Sequence, residues 1–343
     1  QWGAPFHYLI RQGLFIAVAV ALGVLAASLP LRFWEKAGPA LLLGAMALLL
    51  AVFIPGVGKT VNGSARWIGL GPVNLQASEL VKLAVIIYLA GYLVRRDAEV
   101  RDTVAGFLKP MAVCALVTAL LLAEPDFGAA AVITATVMGM VFLAGVRWWL
   151  FGVLLLLVLG LLALLAVSSP YRLERLTTFL NPWADPFNSG FQLTQALIAF
   201  GRGEWFGAGL GGSVQKLFYL PEAHTDFLFA VLSEELGLVG GSTVILLFAF
   251  LVWRAFLVAR RAAEAGLAFG CHLAHGLGLW LALQAFINIG VNMGVLPTKG
   301  LTLPLMSYGG SSMIASCGAV ALLLRIDHEA RRRFGATPGE RRR

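Results

Sequence analysis

Several titratable side chains lie close together where a polar stretch runs into a long apolar segment. The stretch YLPEAHTDFLFAVLSEELGLVG contains Glu222, His224, Asp226, Glu234 and Glu235. A carboxylate held where lipid meets water is well placed for a shifted pKa and for general-base catalysis. We therefore treat Asp226, with His224 and Glu222 beside it, as a candidate reactive acid.

A simpler interpretation of the same residues is helix capping. The side-chain oxygen of Thr225 or Asp226 can accept a backbone N–H at the start of a helix predicted from Phe227. Glu234 and Glu235 begin two turns further along that helix, about 12 Å deeper. One of them either belongs to a proton pathway or hydrogen-bonds structurally to a neighbouring helix.

A second candidate site contains charged groups on one helix. Glu79 and Lys82 are three residues apart, so they share a helix face inside a predicted membrane segment. They either form an intrahelical ion pair that makes burial tolerable or serve a function, which is the default hypothesis for ionisable groups at membrane depth.

Basic residues on the polar connections suggest anion binding. Arg66 and Lys299 lie on separate connections and either contact lipid headgroups or supply cations to a phosphate or pyrophosphate. The turn from Glu124 to Gly128 adds two carboxylates, on Glu124 and Asp126. Since no metal-ligand spacing is present, no metal site is assigned.

The composition is that of an integral membrane protein. Of 343 residues, 59% are hydrophobic and 13% charged, and the mean hydropathy is +0.83. Lipid cannot satisfy an open backbone, so an all-α polytopic bundle is predicted. Nine segments have suitable lengths: 14–31, 37–54, 80–94, 107–123, 128–146, 148–167, 227–252, 267–291 and 306–324.

The basic residues predict the orientation of these segments. Of the 26 Lys and Arg residues, most fall in alternate connections, among them those with Arg32, Lys36 and Arg95, and in the tail. These connections are predicted to be cytoplasmic. With Gln1 on the other side, we expect one more helix before it, which makes ten in all.

The domain organisation follows from these segments. We predict one transmembrane domain over residues 1–343, with a large extracytoplasmic loop at 168–226 and a basic cytoplasmic tail at 326–343. The loop is too long for a plain connection, and its aromatic residues argue against disorder.

Long motifs resemble the SEDS family (shape, elongation, division and sporulation) of bacterial cell-wall polymerases, and more its division branch than its elongation branch. They are SARWIGLG, QASELVKLA, EPDFG, NPWADPF, PEAHTD and LPTKGLTLPLMSYGGSS, in order along the whole chain. The resemblance implies a ten-helix fold and polymerisation of lipid II at the outer membrane face. It also implies that Asp226 is the essential catalytic acid.

The resemblance further implies a set of residues that contact substrate. They are Glu79, Lys82, Asp126 and Lys299. To these we add Arg66, as a cation for the pyrophosphate, and His224, as a neighbour of Asp226. No cofactor is certain, although a divalent cation (Mg²⁺ or Mn²⁺) would suit the pyrophosphate leaving group. The expected partners are a single-pass class B penicillin-binding transpeptidase and other division proteins, at the septal cytoplasmic membrane.

Two other functions remain alternatives. A lipid II flippase would suit the intramembrane charges, but the polar groups gather on one predicted side, whereas alternating access favours a midplane site between repeats. A scaffold that only recruits partners has little use for paired charges within the membrane.

Overall fold

The computed structural model describes residues 6–61, 64–70, 73–167, 179–188, 190–297 and 300–335. Lys299 therefore lies outside the described residues. Eleven α-helices occur in the described part of the chain. They are α1 His7–Ser28, α2 Leu31–Val52, α3 Ala77–Arg95, α4 Asp97–Asp102, α5 Val104–Ala123, α6 Phe127–Leu143, α7 Trp148–Val167, α8 Phe191–Gly203, α9 Leu228–Glu264, α10 Ala268–Asn292 and α11 Gly310–Gly335.

All nine predicted apolar segments lie on helices, which confirms the all-α membrane fold. Within the described residues, seven helices are long and apolar enough to cross a membrane, and α6 and α7 provide shorter apolar stretches. Several boundaries differ from the prediction: α1 begins at His7, α2 begins at Leu31, and α9 continues to Glu264. Helix α11 begins at Gly310 and continues to Gly335, so the described part of the predicted basic tail is helical.

The polar connection before α3 forms a small sheet that the sequence analysis did not predict. Strands β1 (Gly58–Val61), β2 (Ser64–Leu70) and β3 (Val73–Gln76) form an antiparallel meander in the order β1-β2-β3. Trp67 pairs with Gln76 on β3. Since α3 begins at the next residue, the sheet fixes the point where this helix starts.

The chain divides into two compact units. Unit 1 comprises Gln1–Arg147, Leu251–Leu281 and Gly309–Arg343, and unit 2 comprises Trp148–Phe250 and Ala282–Tyr308. Helices α9 and α10 each contribute one part to each unit.

Helix α3 is the most enclosed membrane helix of unit 1. Of its most apolar window 78% is buried, against 11% for α1. Small residues allow close helix packing there, as is common in membranes. A side chain at Gly38 on α2 would come within 3.3 Å of the Tyr88 Cα on α3, and the Gln76 N–H donates to Ser311 Oγ over 2.9 Å. The charges carried by α3 are therefore held by packing on several sides.

Unit 2 is built around two clusters of buried apolar side chains. One joins α8 to the start of α9 and to Val291 of α10. The other joins Phe229 to Phe248, Ala285 and Leu303. Together they hold the segment just before α9, which contains Asp226, against α10 and the connection that follows it.

Candidate functional site

The main chain at Asp226 is held by two buried amide side chains of α10. The Nδ2 atoms of Asn288 and Asn292 donate to the Asp226 carbonyl oxygen over 2.8 and 2.9 Å. Ser307 Oγ donates to the adjacent carbonyl of Thr225 over 2.6 Å. A carbonyl oxygen that accepts from two buried amides has little freedom to move, so the backbone at Asp226 is fixed.

The two asparagines belong to a stripe of amides along α10. Gln284, Asn288 and Asn292 recur every fourth residue, and each is at most 1% exposed. Gln284 donates to the Thr302 carbonyl oxygen over 3.0 Å. Sequence reasoning missed these residues, although polar side chains four apart in an apolar run indicate one inward helix face.

The Asp226 side chain itself is half-buried. A Cβ atom placed on Gly300 would lie 2.9 Å from its Oδ2 atom. The missing side chain at Gly300 therefore makes room for the carboxylate. A fixed backbone with a partly accessible carboxylate is suited to accepting a proton from a bound hydroxyl.

His224 lies on the same segment and is exposed. Its ring packs edge-on against Tyr308, with 5.5 Å between the ring centroids. Its main-chain oxygen accepts the Tyr308 N–H over 2.9 Å. The structure thus places the two predicted residues His224 and Asp226 on one anchored segment of unit 2.

The start of α9 bears on the capping interpretation. The N–H of Ala230, in the first turn, donates to Asn292 Oδ1 over 3.1 Å. Asn292 therefore both accepts from the first turn of α9 and donates to the Asp226 carbonyl. Asn292 of α10 thus accepts at least one of the N–H groups that a capping side chain would otherwise bind.

Glu79 and Lys82 form the ion pair predicted from their spacing. Lys82 Nζ lies 2.9 Å from Glu79 Oε1, and the Lys82 and Glu79 side chains are 1% and 4% exposed. Lys82 Nζ also lies 5.4 Å from the centroid of the Trp280 ring, where a cation–π attraction operates. Glu79 Oε2 is buried without a hydrogen-bond partner.

The turn between α5 and α6 carries two carboxylates and is bound by Arg66 through its main chain. The Arg66 guanidinium donates to the main-chain oxygens of Glu124 and Pro125. Asp126 caps α6, since its Oδ1 accepts the Ala129 N–H over 3.1 Å. Its Oδ2 is buried without a partner.

Glu124, which lies in this turn outside the membrane helices, is a residue that sequence reasoning did not select. Its side chain is 1% exposed, and neither carboxyl oxygen has a hydrogen-bond partner. Burial, followed by the charge of Asp126, raises the pKa of Glu124 to about 8, against the opposing effect of Arg66. Glu124 therefore carries a proton at neutral pH.

The carboxylate of Glu234 accepts several hydrogen bonds within unit 2. It accepts from Arg202 Nη1 over 2.9 Å, from the N–H groups of Val214 and Gln215 over 3.0 and 3.3 Å, and from Ser213 Oγ. The next residue, Glu235, pairs with Lys216. Of the two interpretations left open by the sequence, a structural hydrogen-bonding role agrees with these contacts.

The predicted site residues thus fall into groups. His224 and Asp226 lie together in unit 2. In unit 1, Glu79 contacts Lys82, and Arg66 contacts the turn that bears Asp126. Among the residues that the structure describes, no three potential ligands of His, Cys, Asp or Glu type are close enough to hold a metal ion.

Comparison with known proteins assigns the family. A family model of cell cycle proteins, covering FtsW, RodA and SpoVE, matches residues 1–332. The chain belongs to the FtsW/RodA/SpoVE family. This confirms the resemblance seen in the motifs.

The FtsW branch supplies similar sequences. The probable peptidoglycan glycosyltransferase FtsW of Nitrosococcus halophilus is 62% identical over 333 residues, which are 96% of this chain and 85% of that protein. The protein of the same name from Coxiella burnetii is 56% identical over 329 residues, or 96% of this chain and 88% of its own length.

Solved structures of the FtsW/RodA/SpoVE fold are also similar. A chain from a peptidoglycan synthase complex, described as coordinating polymerization and crosslinking, is 31% identical with a TM-score of 0.78, over 94% of this chain and 90% of that one. The rod shape determining protein RodA of Thermus thermophilus is 28% identical with a TM-score of 0.70, over 95% of this chain and 89% of its own.

Proposed function

We propose that this protein is a peptidoglycan glycosyltransferase that polymerises lipid II into glycan strands, with Asp226 as general base. The observation that carries the proposal is the setting of Asp226. Its main-chain oxygen is bound by Asn288 and Asn292, while its carboxylate is half-buried in the space left by Gly300. The FtsW relatives bear the name of this activity.

The proposed reaction is a single displacement. The glucosaminyl 4-hydroxyl of one lipid II attacks the anomeric carbon of the muramyl unit at the end of the growing strand. A C–O bond forms there as the bond to the pyrophosphate oxygen breaks, and the electron pair leaves with undecaprenyl pyrophosphate. Asp226 takes the hydroxyl proton. Attack opposite the leaving group inverts the centre, so no covalent enzyme intermediate is required.

Cationic side chains are proposed to stabilise the leaving pyrophosphate. Arg66, Lys82 and Lys299 are the candidates, because developing negative charge is stabilised by fixed positive groups. Arg66 uses two donor atoms on main-chain oxygens, out of the five N–H groups of a guanidinium. Lys82 is buried against Glu79, so we infer that it acts chiefly by holding that carboxylate in place.

A divalent cation would supply further charge neutralisation at the pyrophosphate. The described residues do not bring three protein ligands together, so no step of the proposal is assigned to a metal held by the protein. Glu79, Asp126 and His224 are proposed to orient the sugars and their lipid-linked phosphates.

We further propose that the protein acts with a class B penicillin-binding transpeptidase at the division septum, with its active site facing outward. The similar structure of a complex that couples polymerization to crosslinking supports such a partner. The FtsW relatives support the division role. The alternation of basic connections supports an outward site.

The test is polymerisation of labelled lipid II by purified protein, with and without its transpeptidase. Asp226→Asn keeps the size of the side chain and the main-chain contacts but cannot take a proton. Because general-base catalysis contributes about 10²- to 10⁴-fold, glycan product should fall by at least about a hundredfold. Asp102→Asn, at an exposed position on α4, serves as the matched control and should polymerise normally.

Near-normal product from Asp226→Asn, with a folded monodisperse protein, would exclude the base role. No product from wild type with its partner, together with lipid II movement across vesicle membranes, would instead favour a flippase.

A further inference from the structure

A charged pocket lies at the opposite end of α3 from Glu79 and Lys82. It is a cavity of about 540 Å³ lined by Arg32, Glu35, Lys36, Pro39 and Arg95, which we call the basic pocket. Arg95 follows Glu79 by sixteen residues on α3, or about 24 Å along the helix axis. The pocket is therefore separate from the proposed catalytic residues of unit 1.

The charges of the basic pocket are unbalanced. Three cations line it against the one carboxylate of Glu35, which leaves a net charge of +2. Within the part of the chain that the structure describes, no ion pair involves Arg32, Lys36 or Arg95. Neighbouring basic residues do have acidic partners: Arg96 and Lys109 pair with Glu99, and Arg101 pairs with Asp97. Three cations around one cavity, exposed as they are, give it a positive potential that favours the binding of an anion.

Glycine and proline shape the wall between α2 and α3. Gly38 lets α2 approach Tyr88 of α3, and a Cβ atom on Gly91 would lie 2.8 Å from Arg95 Nη1. The Arg95 guanidinium therefore packs over Gly91 of α3. A side chain at position 91 would displace it. Pro39 has no N–H, so the Glu35 carbonyl lacks the usual helical donor and adds an acceptor beside the cations.

The N-terminus of α2 is already bound within the protein, because the Leu31 N–H donates to Glu329 Oε1 over 3.0 Å. Glu329 is in turn paired with Arg325. The anion-binding capacity thus comes from the three side chains. Their geometry suits a group with several acceptor oxygens, of which phosphate is the common biological example.

We propose that the basic pocket binds the phosphate of an anionic phospholipid in the cytoplasmic leaflet. Its walls are two membrane-length helices, and the positive-inside pattern places Arg32, Lys36 and Arg95 on the cytoplasmic side. Basic pockets between membrane helices on that side bind anionic headgroups. The acyl chains lie along the exposed surfaces of α2, where Leu43 and Leu50 are 68% and 53% exposed.

The experiment measures lipid binding to the purified full chain by native mass spectrometry, with phosphatidylglycerol or phosphatidylcholine added. The variant combines Arg32→Gln, Lys36→Gln and Arg95→Gln, and Arg147→Gln is the control because Arg147 is exposed and predicted to lie on the same side. Phosphatidylglycerol affinity should fall about fivefold for each cation removed. Phosphatidylcholine binding should not change.

Glu35→Gln supplies a second test, in which lipid affinity should rise and not fall. This test does not depend on whether the triple variant folds. Removing the only carboxylate of the pocket should tighten phosphatidylglycerol binding about fivefold. Unchanged affinity in both Glu35→Gln and a folded triple variant would overturn the proposal. Inorganic phosphate, added alone, should not displace the lipid; displacement at millimolar phosphate would show that the site takes a free anion and would overturn the lipid assignment.

Discussion

Asn292 contacts Asp226 through the main chain: its Nδ2 atom donates to the Asp226 carbonyl oxygen over 2.9 Å. The same side chain accepts the Ala230 N–H through Oδ1. One buried amide thus fixes the residue proposed to act as base and the helix turn that follows it, so the two cannot move independently.

Asn292→Asp should separate positioning from proton transfer. The change keeps the acceptor for Ala230 but removes the N–H groups that bind the Asp226 carbonyl. Because small displacements of a catalytic group cost about a hundredfold, we expect kcat for lipid II polymerisation to fall about tenfold to a hundredfold. The KM for lipid II should change little. Steady-state kinetics measure both, and Asn74→Asp, at an exposed position, is the matched control. Equal kinetics for Asn292→Asp and wild type would contradict a positioning role.

The buried Glu79–Lys82 pair should behave as a unit in stability measurements. Lys82→Met leaves the Glu79 carboxylate buried and uncompensated, which should cost about 3–5 kcal/mol of unfolding free energy. Adding Glu79→Gln should restore most of that loss, because no buried charge then remains. Unfolding in detergent, followed for both single variants and the double variant, measures the coupling.

An exposed pair supplies the control for that cycle. Arg260 and Glu264 are 78% and 50% exposed, so Arg260→Gln should change the unfolding free energy by less than about 1 kcal/mol. If Lys82→Met and Arg260→Gln had equally small effects, the buried pair would not be structurally important. If the stable double variant fails to polymerise lipid II, the charges are needed for function and not only for folding.

Glu124 should make the stability of the protein fall as pH rises. Its folded-state pKa is raised from 4.5 to about 8, so between these values the folded protein holds a proton that the unfolded chain has lost. The contribution of Glu124 to the unfolding free energy is therefore fully present below about pH 4.5. It decreases as the pH rises from about 4.5 to about 8, by at most about 1.4 kcal/mol per pH unit.

Glu124→Gln, which mimics the protonated acid, removes this dependence. Melting temperatures of wild type and variant should converge at pH 5 and diverge toward pH 8, with the variant more stable. Parallel curves across this range would show that Glu124 ionises normally.

Gly237 should tolerate no side chain. It interrupts α9 with φ 66° and ψ −165°, a conformation open essentially to glycine alone. A Cβ there would lie 2.5 Å from the Gly207 nitrogen. Gly237→Ala should therefore break the bonds from the Leu238 and Val239 N–H groups to the carbonyls of Glu204 and Trp205. Hydrogen–deuterium exchange should rise at residues 204–209 and 237–239.

Gly152→Ala is the control for that substitution. Gly152 is helical, and nothing lies within 4 Å of a Cβ built on it. Alanine there should be neutral or should stabilise the helix by up to about 1 kcal/mol. Unaltered exchange in Gly237→Ala would mean that α9 can straighten at little cost.

The helices could be predicted from the sequence because lipid restricts the backbone to few solutions. Nine apolar segments were enough to locate nine helices. The break at Gly237 could not be predicted, because its cause is the close approach of Gly207, which is thirty residues away in the chain. The sheet at Gly58–Gln76 was also missed, since its short strands depend on pairing with each other and show no clear alternation.

The candidate site was only partly predictable for a related reason. Asp226 and the Glu79–Lys82 pair were recognisable by residue type and spacing. Glu124 was seen as one of two carboxylates in a turn, but burial of both its oxygens is a property of the packed structure. Asn288 and Asn292 left a visible pattern of polar residues four apart, which was overlooked because neutral amides carry no charge.

The carboxylate of Glu234 also determines how much of the long polar connection is ordered. Because this one group accepts from Arg202, Ser213, Val214 and Gln215, that part of the connection is already ordered in the free protein. A ligand that contacted this segment would not have to offset the entropic cost of ordering it. The segment between α8 and α9 is therefore tied to α9 through one carboxylate, and its conformation should be retained whether or not a ligand is bound.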